Sequence, residues 1–398
     1  MRSKVFEPML RSIPPLSVLL AALAVLGMAC AGDGGQSDAA PTTSAGATPG
    51  ATATKGPSSK QSGPKLELEG ITAWLNTEPV TIEDLVAANR VVLVDFWTYT
   101  CVNCLRTLPF LREWHAKYKD LGLTIVGVHT PEFEFEKVKA NVEKALSEHE
   151  IGWAVAQDND YRTWNAFGNR YWPAKYLIGK DGEVRYTHFG EGAYVETEKE
   201  IRAALADFGY NVDSVPIGAV NEQIRDGKAT TVTREIYGGY ERNFDFFGQY
   251  AGQDEYYGSP DKVIEYKDDG SYAHNKFYLS GPWRNEKEAI VHARDTAEPE
   301  DYIALTIAAT SANVVIDPQG PEPFDVIVEL DGKPLAREQA GVDVNFDGKG
   351  RSVVRVSGAR LYSLVQLPEF GIHTLKLSST SKNFGVFAFT FGVYESGI

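Results

Sequence analysis

Two of the three cysteines in this chain, Cys101 and Cys104, stand three residues apart in VDFWTYTCVNC, and an acid, Asp95, interrupts the apolar run that leads to them. A CxxC pair serves as half of a zinc site, as a structural crosslink, or as a redox couple. A four-ligand zinc site needs a second CxxC or a pair of spaced histidines. The chain has no second pair, and His115 and His129 lack the spacing of a finger, so no metal is expected. A crosslink between residues three apart closes a tiny loop and restrains the unfolded chain very little. The redox reading has support from position: the pair falls between RVVLVDFW, which reads as a buried strand, and LRTLPFLREWHAKYKDLG, which reads as a helix.

A thiol at a helix N-terminus faces unpaired N–H groups and the positive end of the helix dipole, which favours its thiolate. Cys101 is therefore expected to be the nucleophile, its pKa lowered from about 8.5 into roughly the 3.5–7.5 range. Cys104, one turn deeper, suits the resolving thiol, which attacks the mixed disulfide and releases the reduced substrate. Asp95 has two readings at this point. If it is buried, its raised pKa lets it take the proton of Cys104; otherwise it marks a solvent-exposed strand end. Peroxidase chemistry is a rival, since Thr98 to Cys101 supplies the TxxC half of a PxxxTxxC motif, but Val94 stands where that motif needs proline. Glu132 and Glu134 in HTPEFEFE either tune the dithiol or belong to a solvated loop. Two sulfurs carry the electrons, so no cofactor is required.

Such a pair needs a framework of strands and helices. From Leu66 to about Tyr210, RVVLVDFW and LTIVGVH read as buried strands, and FEKVKANVEKALSEH as a further helix, which predicts a mostly parallel sheet covered by helices. AKYLIGKDGEVRYTHFG reads as a β-hairpin around Lys-Asp-Gly, and TEKEIRAALADFG as a helix ending at Gly209. Beyond Asp213 the rhythm changes to FDVIVEL, RSVVRVSG, LYSLVQL, IHTLKLSS and GVFAFTFGVY, alternating runs that predict an all-β sandwich. The expected division is 66–212 and 213–398, with no internal repeat.

At 398 residues and 43% apolar content the chain has enough material for two globular domains. Its formal charge of −15 excludes a nucleic-acid binder, because a phosphate backbone needs clustered Lys and Arg. Residues 1–30 run from a basic start through IPPLSVLLAALAVLGMA to Cys30, the pattern of a secretory signal. LGMAC resembles the lipobox of bacterial lipoproteins, which implies lipidation at Cys30 and anchoring to the outer face of the cell membrane. Gly27 departs from that pattern, where an aliphatic residue is usual, so plain cleavage near Cys30 stays open beside lipidation. Residues 31–65, rich in Gly, Ser, Thr, Ala and Pro, read as a disordered tether whose reach is roughly 30–35 Å. If Cys30 carries lipid, Cys101 and Cys104 have only each other in an oxidising compartment.

The residues already quoted carry a resemblance. VDFWTYTCVNC is similar to the active-site segment of the thioredoxin superfamily. The longer text WTYTCVNCLRTLPFLREWHAKY, VGVHTPEFEFEK and FGNRYWPAKYLIGKDG resembles the thioredoxin-like part of DipZ-type proteins, relatives of the TlpA and ResA disulfide reductases. The resemblance implies an α/β thioredoxin-like domain, a proton-relay role for Asp95, a cis bond at Pro173, and substrate contacts at Trp97, Trp172 and Pro173. It implies reduction of disulfides in exported proteins, including apocytochrome c, with electrons from a CcdA-type membrane donor. This sequence carries no multi-span membrane segment, so that donor is expected to be a separate protein. Val102 and Asn103 depart from the Gly-Pro or Glu-Pro usual between the cysteines, so the resemblance leaves the redox potential, and hence reductase against oxidase, open.

YGGYERNFDFFGQYAGQDEYY, from Tyr237 to Tyr257, mixes aromatics with polar side chains, as sugar-binding surfaces and sandwich cores both do. The region resembles the jelly-roll (galactose-binding-like) part of DipZ-type proteins, which implies cell-wall glycan as a further partner. GVDVNFDGKG fills early positions of a calcium loop, but Val354 stands where the bidentate Glu belongs, so it is read as a turn.

Overall fold

The computed structural model describes residues 66–218, 232–243 and 248–393, together with a two-residue strand, Thr54–Lys55. The signal, Cys30 and the rest of the 31–65 tether lie outside the described residues. In the first lobe the strands are Thr54–Lys55 (β1), Ala73–Leu75 (β2), Val91–Trp97 (β3), Leu123–His129 (β4), Ala154–Gln157 (β5), Ala174–Ile178 (β6) and Val184–Phe189 (β7). The helices are Ile82–Ala87 (α1), Val102–Tyr118 (α2), Lys139–Glu148 (α3), Arg162–Ala166 (α4) and Tyr194–Asp207 (α5). Sheet order is β1-β7-β6-β3-β4-β5-β2.

Only β3–β4 and β4–β5 run parallel, so the sheet is mixed rather than mostly parallel. The reason is local: Gly182, at φ +79°, closes β6 and β7 into a hairpin, and that hairpin pairs antiparallel with β3. Every position of β3 is buried, because strands flank it on both sides and helices cover it above and below. Its side chains alternate: Val92, Val94 and Phe96 pack with Trp164 and Phe167 near α4, whereas Leu93 and Trp97 pack with Leu108 and Leu111 of α2. The helix reading of TEKEIRAALADFG is matched by α5, with Gly209 at φ +92° just beyond its end.

The second lobe is antiparallel throughout its named strands: Ile236–Tyr237 (β8), Val263–Tyr266 (β9), Phe277–Asn285 (β10), Ile290–His292 (β11), Tyr302–Ile316 (β12), Phe324–Leu330 (β13), Lys333–Pro334 (β14), Val344–Phe346 (β15), Ser352–Val356 (β16), Arg360–Ser378 (β17) and Gly385–Gly392 (β18). A short helix, Tyr240–Asn243 (α6), follows β8. LYSLVQL and IHTLKLSS, expected as two strands, are the two halves of β17. β12 pairs with both halves, and its register slips between Ala309 and Ser311, where the long pair bends. Along β12 the neighbour opposite β17 changes from β10, beside Tyr302–Leu305, to β18, beside Ser311–Ile316. The calcium-like loop is a turn whose Asp347 carboxylate is held by Arg351 and by backbone amides.

Residues 43–398 form one compact unit, and apolar residues of both lobes join in a single core cluster. Tyr237, Tyr250 and Tyr256 of the aromatic-rich stretch are buried, which takes their faces away from any surface ligand. Among the described residues no helix is long and apolar enough to cross a membrane.

Candidate active site

β3 delivers its C-terminal end to the turn Thr98 to Thr100, and Cys101 then caps α2. The Cys101 sulfur accepts the backbone N–H of Cys104 at 3.2 Å, and its carbonyl accepts from Leu105 at 3.0 Å. Both cysteines are free thiols; Cys101 is partly exposed and Cys104 buried. The pair is thus asymmetric in access, as its place at a helix start suggests.

Acidity does not follow the expectation. Burial pushes the Cys101 thiol up more than the Cys104 donors bring it down, and the carboxylates of Glu132 and Glu235 push it further. The helix start supplies donors, but desolvation outweighs them. Burial and the neighbouring Cys101 and Asp95 hold the Cys104 thiol well above its ordinary value.

Asp95 is 2% exposed, so the strand-end reading fails. By alternation it shares the Leu93 and Trp97 face of β3, beneath α2. Burial pushes its carboxyl up to about 7, against the pull of the Lys175 ammonium 3.9 Å away. Lys175 lies across the strand pair from Asp95 and is itself fully buried, and burial lowers its pKa. Neither Asp95 Oδ1 nor Lys175 Nζ has a hydrogen-bond partner among the described residues. Such a carboxyl exchanges a proton near neutrality, as a proton carrier for Cys104 must.

Trp97, expected to face substrate, is 1% exposed and packs edge-on against His129 at 5.3 Å; it supports the turn from within the core. Burial holds His129 down to about 3, so the imidazole is neutral there. The Trp172–Pro173 bond is cis. Ala174, the next residue, is the register partner of Phe96, which brings Pro173 alongside the C-terminal end of β3 where the CxxC turn begins. Trp172 is half-buried; its indole N–H donates to the Thr130 carbonyl at 3.1 Å, and Thr130 N–H in turn donates to Trp97 O.

Three residues of the site were not singled out in the sequence. Lys175 breaks the apolar AKYLI as Asp95 breaks RVVLVDFW, a signal that was there to be read. Glu136 is buried and holds the Thr100 hydroxyl at 2.5 Å. Glu235 reaches the site from the second lobe; burial and the charge of Glu132 push it up to about 8. Glu132 accepts from the Tyr237 hydroxyl at 2.8 Å and from Arg242 at 3.1 Å, whereas Glu134 is exposed and pairs with Lys137. Among the described residues no group of three or more metal-ligating side chains occurs.

Residues 60–187 match the AhpC/TSA family and residues 233–392 the family described as "Thioredoxin like C-terminal domain". Protein DipZ of Mycobacterium bovis is 35% identical over 330 residues, 82% of this chain and 42% of that protein. The chain therefore spans less than half the length of that relative. Thiol-disulfide oxidoreductase YkuV of Bacillus subtilis is 34% identical across 36% of this chain and 95% of its own length. Thiol-disulfide oxidoreductase ResA of Bacillus thuringiensis is 26% identical across 33% of this chain and 69% of its own. A chain that covers nearly all of YkuV at that identity, and carries its thiols at the start of α2, belongs to the thioredoxin-like thiol-disulfide oxidoreductases of the TlpA and ResA type and is a relative of the DipZ proteins.

Proposed function

We propose that this protein reduces disulfides in exported proteins, apocytochrome c among them, with Cys101 attacking, Cys104 resolving and Asp95 carrying the proton. The observation behind this reading is the buried Asp95 carboxyl, poised near 7 beneath a dithiol whose outer member is partly exposed and whose inner member is buried. The Cys101 thiolate attacks one sulfur of the substrate disulfide; that S–S bond breaks, a mixed disulfide forms and the first substrate thiolate leaves. Cys104 passes its proton to Asp95 and attacks the Cys101 sulfur, which releases the second substrate thiolate and closes Cys101–Cys104. The substrate gains two electrons, and its two thiolates take up protons. A CcdA-type membrane donor resets the pair.

In the same reading Cys30 carries a lipid on the outer face of the membrane, residues 31–65 tether residues 66–212, and residues 213–398 fold as a jelly roll. Pro173 and Trp172 line the substrate's approach, which their register beside the CxxC turn supports.

Equilibration of the Cys101–Cys104 couple with glutathione tests the direction. A potential near roughly −270 mV is expected of a reductase, and one near roughly −120 mV would make the protein an oxidase. Cys101→Ser should abolish reduction of insulin disulfides; retained reduction, or peroxide turnover by the parent, would overturn the assignment.

A further inference from the structure

Glu136 is fully enclosed, although it stands in PEFEFEK among two more glutamates. Its Oε1 accepts the Thr100 hydroxyl at 2.5 Å, and its Oε2 accepts the backbone N–H of Glu132 and, at 3.1 Å, that of Phe133. Thr100 immediately precedes Cys101, so one side chain ties the CxxC turn to the segment 132–136. An ionised carboxylate suits this place because it accepts on both oxygens and donates nothing. A glutamine keeps its carbonyl on the two amide donors only by turning its NH₂ to Thr100, whose hydroxyl must then accept instead of donate. A protonated acid would have to donate to Thr100 and so reverse that bond.

The second lobe grips the same segment from outside. Arg242 donates to the Glu132 carboxylate and carbonyl, Tyr237 donates to the carboxylate, and Glu288 accepts the N–H of Glu134 at 3.0 Å. Phe387 of β18 meets Phe133 and Phe135 edge-on at 5.3 and 5.0 Å. The peptide units that hold Glu136 are thus gripped from the second lobe, while from the first lobe the Tyr161 hydroxyl donates to the Pro131 carbonyl.

We propose that Glu136 is a positioning residue for the Cys101 turn, and that the second lobe keeps it in place by clamping Glu132 and Phe133. This rests on the reading of Cys101 as the attacking thiol. Burial pushes the Glu136 carboxyl up to about 7. The titratable and charged groups facing it and its clamp are Tyr99, His129, Glu132 and Tyr161 of the first lobe, and Glu235, Tyr237, Arg242 and Glu288 of the second. His129 is held neutral, and Arg242, beside Glu132, is held charged. As pH rises through about 7, Glu136 loses its proton, Thr100 becomes the donor, and the turn takes its attacking form.

The test is the rate at which the full chain opens a nitrobenzoate disulfide from pH 5 to 9, in a Cys104→Ser background, with Cys101→Ser as control. The parent shows a step near pH 7 beyond its thiolate titration. Glu136→Gln slows attack about ten- to a hundredfold, the scale of a misplaced reacting group, and removes the step. Arg242→Met slows it less and moves the step to higher pH, since a cation beside Glu132 is gone; it carries the test where Glu136→Gln does not fold. A folded Glu136→Gln with the parent's rate and step overturns the proposal, as does an Arg242→Met whose step does not move. If Cys101→Ser reacts as the parent does, the attacking role of Cys101 fails instead. Hydrogen exchange at the amides of residues 98–101 then decides: lost protection in Glu136→Gln supports positioning, and unchanged protection overturns it.

Discussion

Asp95 holds a charge that folding disfavours, and the sign of that effect fixes its pH dependence. Its carboxyl goes from an ordinary value of 3.8 to about 7 in the folded protein. Stability from the neutral form is therefore complete below the ordinary value and is lost as pH rises through about 7. Between pH 4 and pH 8 the parent should lose roughly 2–4 kcal/mol from this group, a figure already net of the pull of Lys175. Urea unfolding of Asp95→Asn at the two pH values should show that part of the slope gone; an unchanged slope would mean that Asp95 is not the titrating group. The same variant should slow resolution of a trapped mixed disulfide about a hundredfold, the scale of a lost general base. Asp95 was legible because it interrupts an apolar run. Glu136 was not: strict alternation in EFEFE puts its glutamates on one face, whereas the chain makes a 3₁₀ turn at Glu134–Lys137 and sends Glu136 inward.

At the scale of elements, α2 has to hand the chain back to β4 in a short space. It does so through Gly122, whose φ of +96° suits glycine, and a Cβ there would lie 2.2 Å from the Tyr210 ring. Gly122→Ala should cost about 1–3 kcal/mol in chemical denaturation, by strain and by displacing Tyr210, with the dithiol potential unchanged. A shifted potential would show that the return of α2 is coupled to its N-terminus. The strand and helix rhythm that frames this return was readable from apolar periodicity alone. Strand direction was not, because a buried run reads alike in either sense, and the antiparallel β6–β7 hairpin makes the sheet mixed. The fusion of two expected strands into β17 escaped notice because Pro368 to Gly371 read as a break, whereas the strand continues through its bend.

For the whole molecule, the joined core predicts that both lobes unfold together. Phe387 is the wedge between them, 6% exposed and packed on Phe133 and Phe135. Phe387→Ala should cost about 3–5 kcal/mol and split one calorimetric transition into two. A single transition in both proteins, with a loss under about 1 kcal/mol, would mean that the lobes are coupled elsewhere. The clamp also depends on chain order. Tyr237 sits in β8, a two-residue strand that pairs with β18, and β18 spans Gly385–Gly392. During synthesis the CxxC turn is therefore complete long before the strand that secures Tyr237 has emerged. The dithiol is made early and set late: a chain cut short before β18 would carry both sulfurs and lack the part that holds them ready.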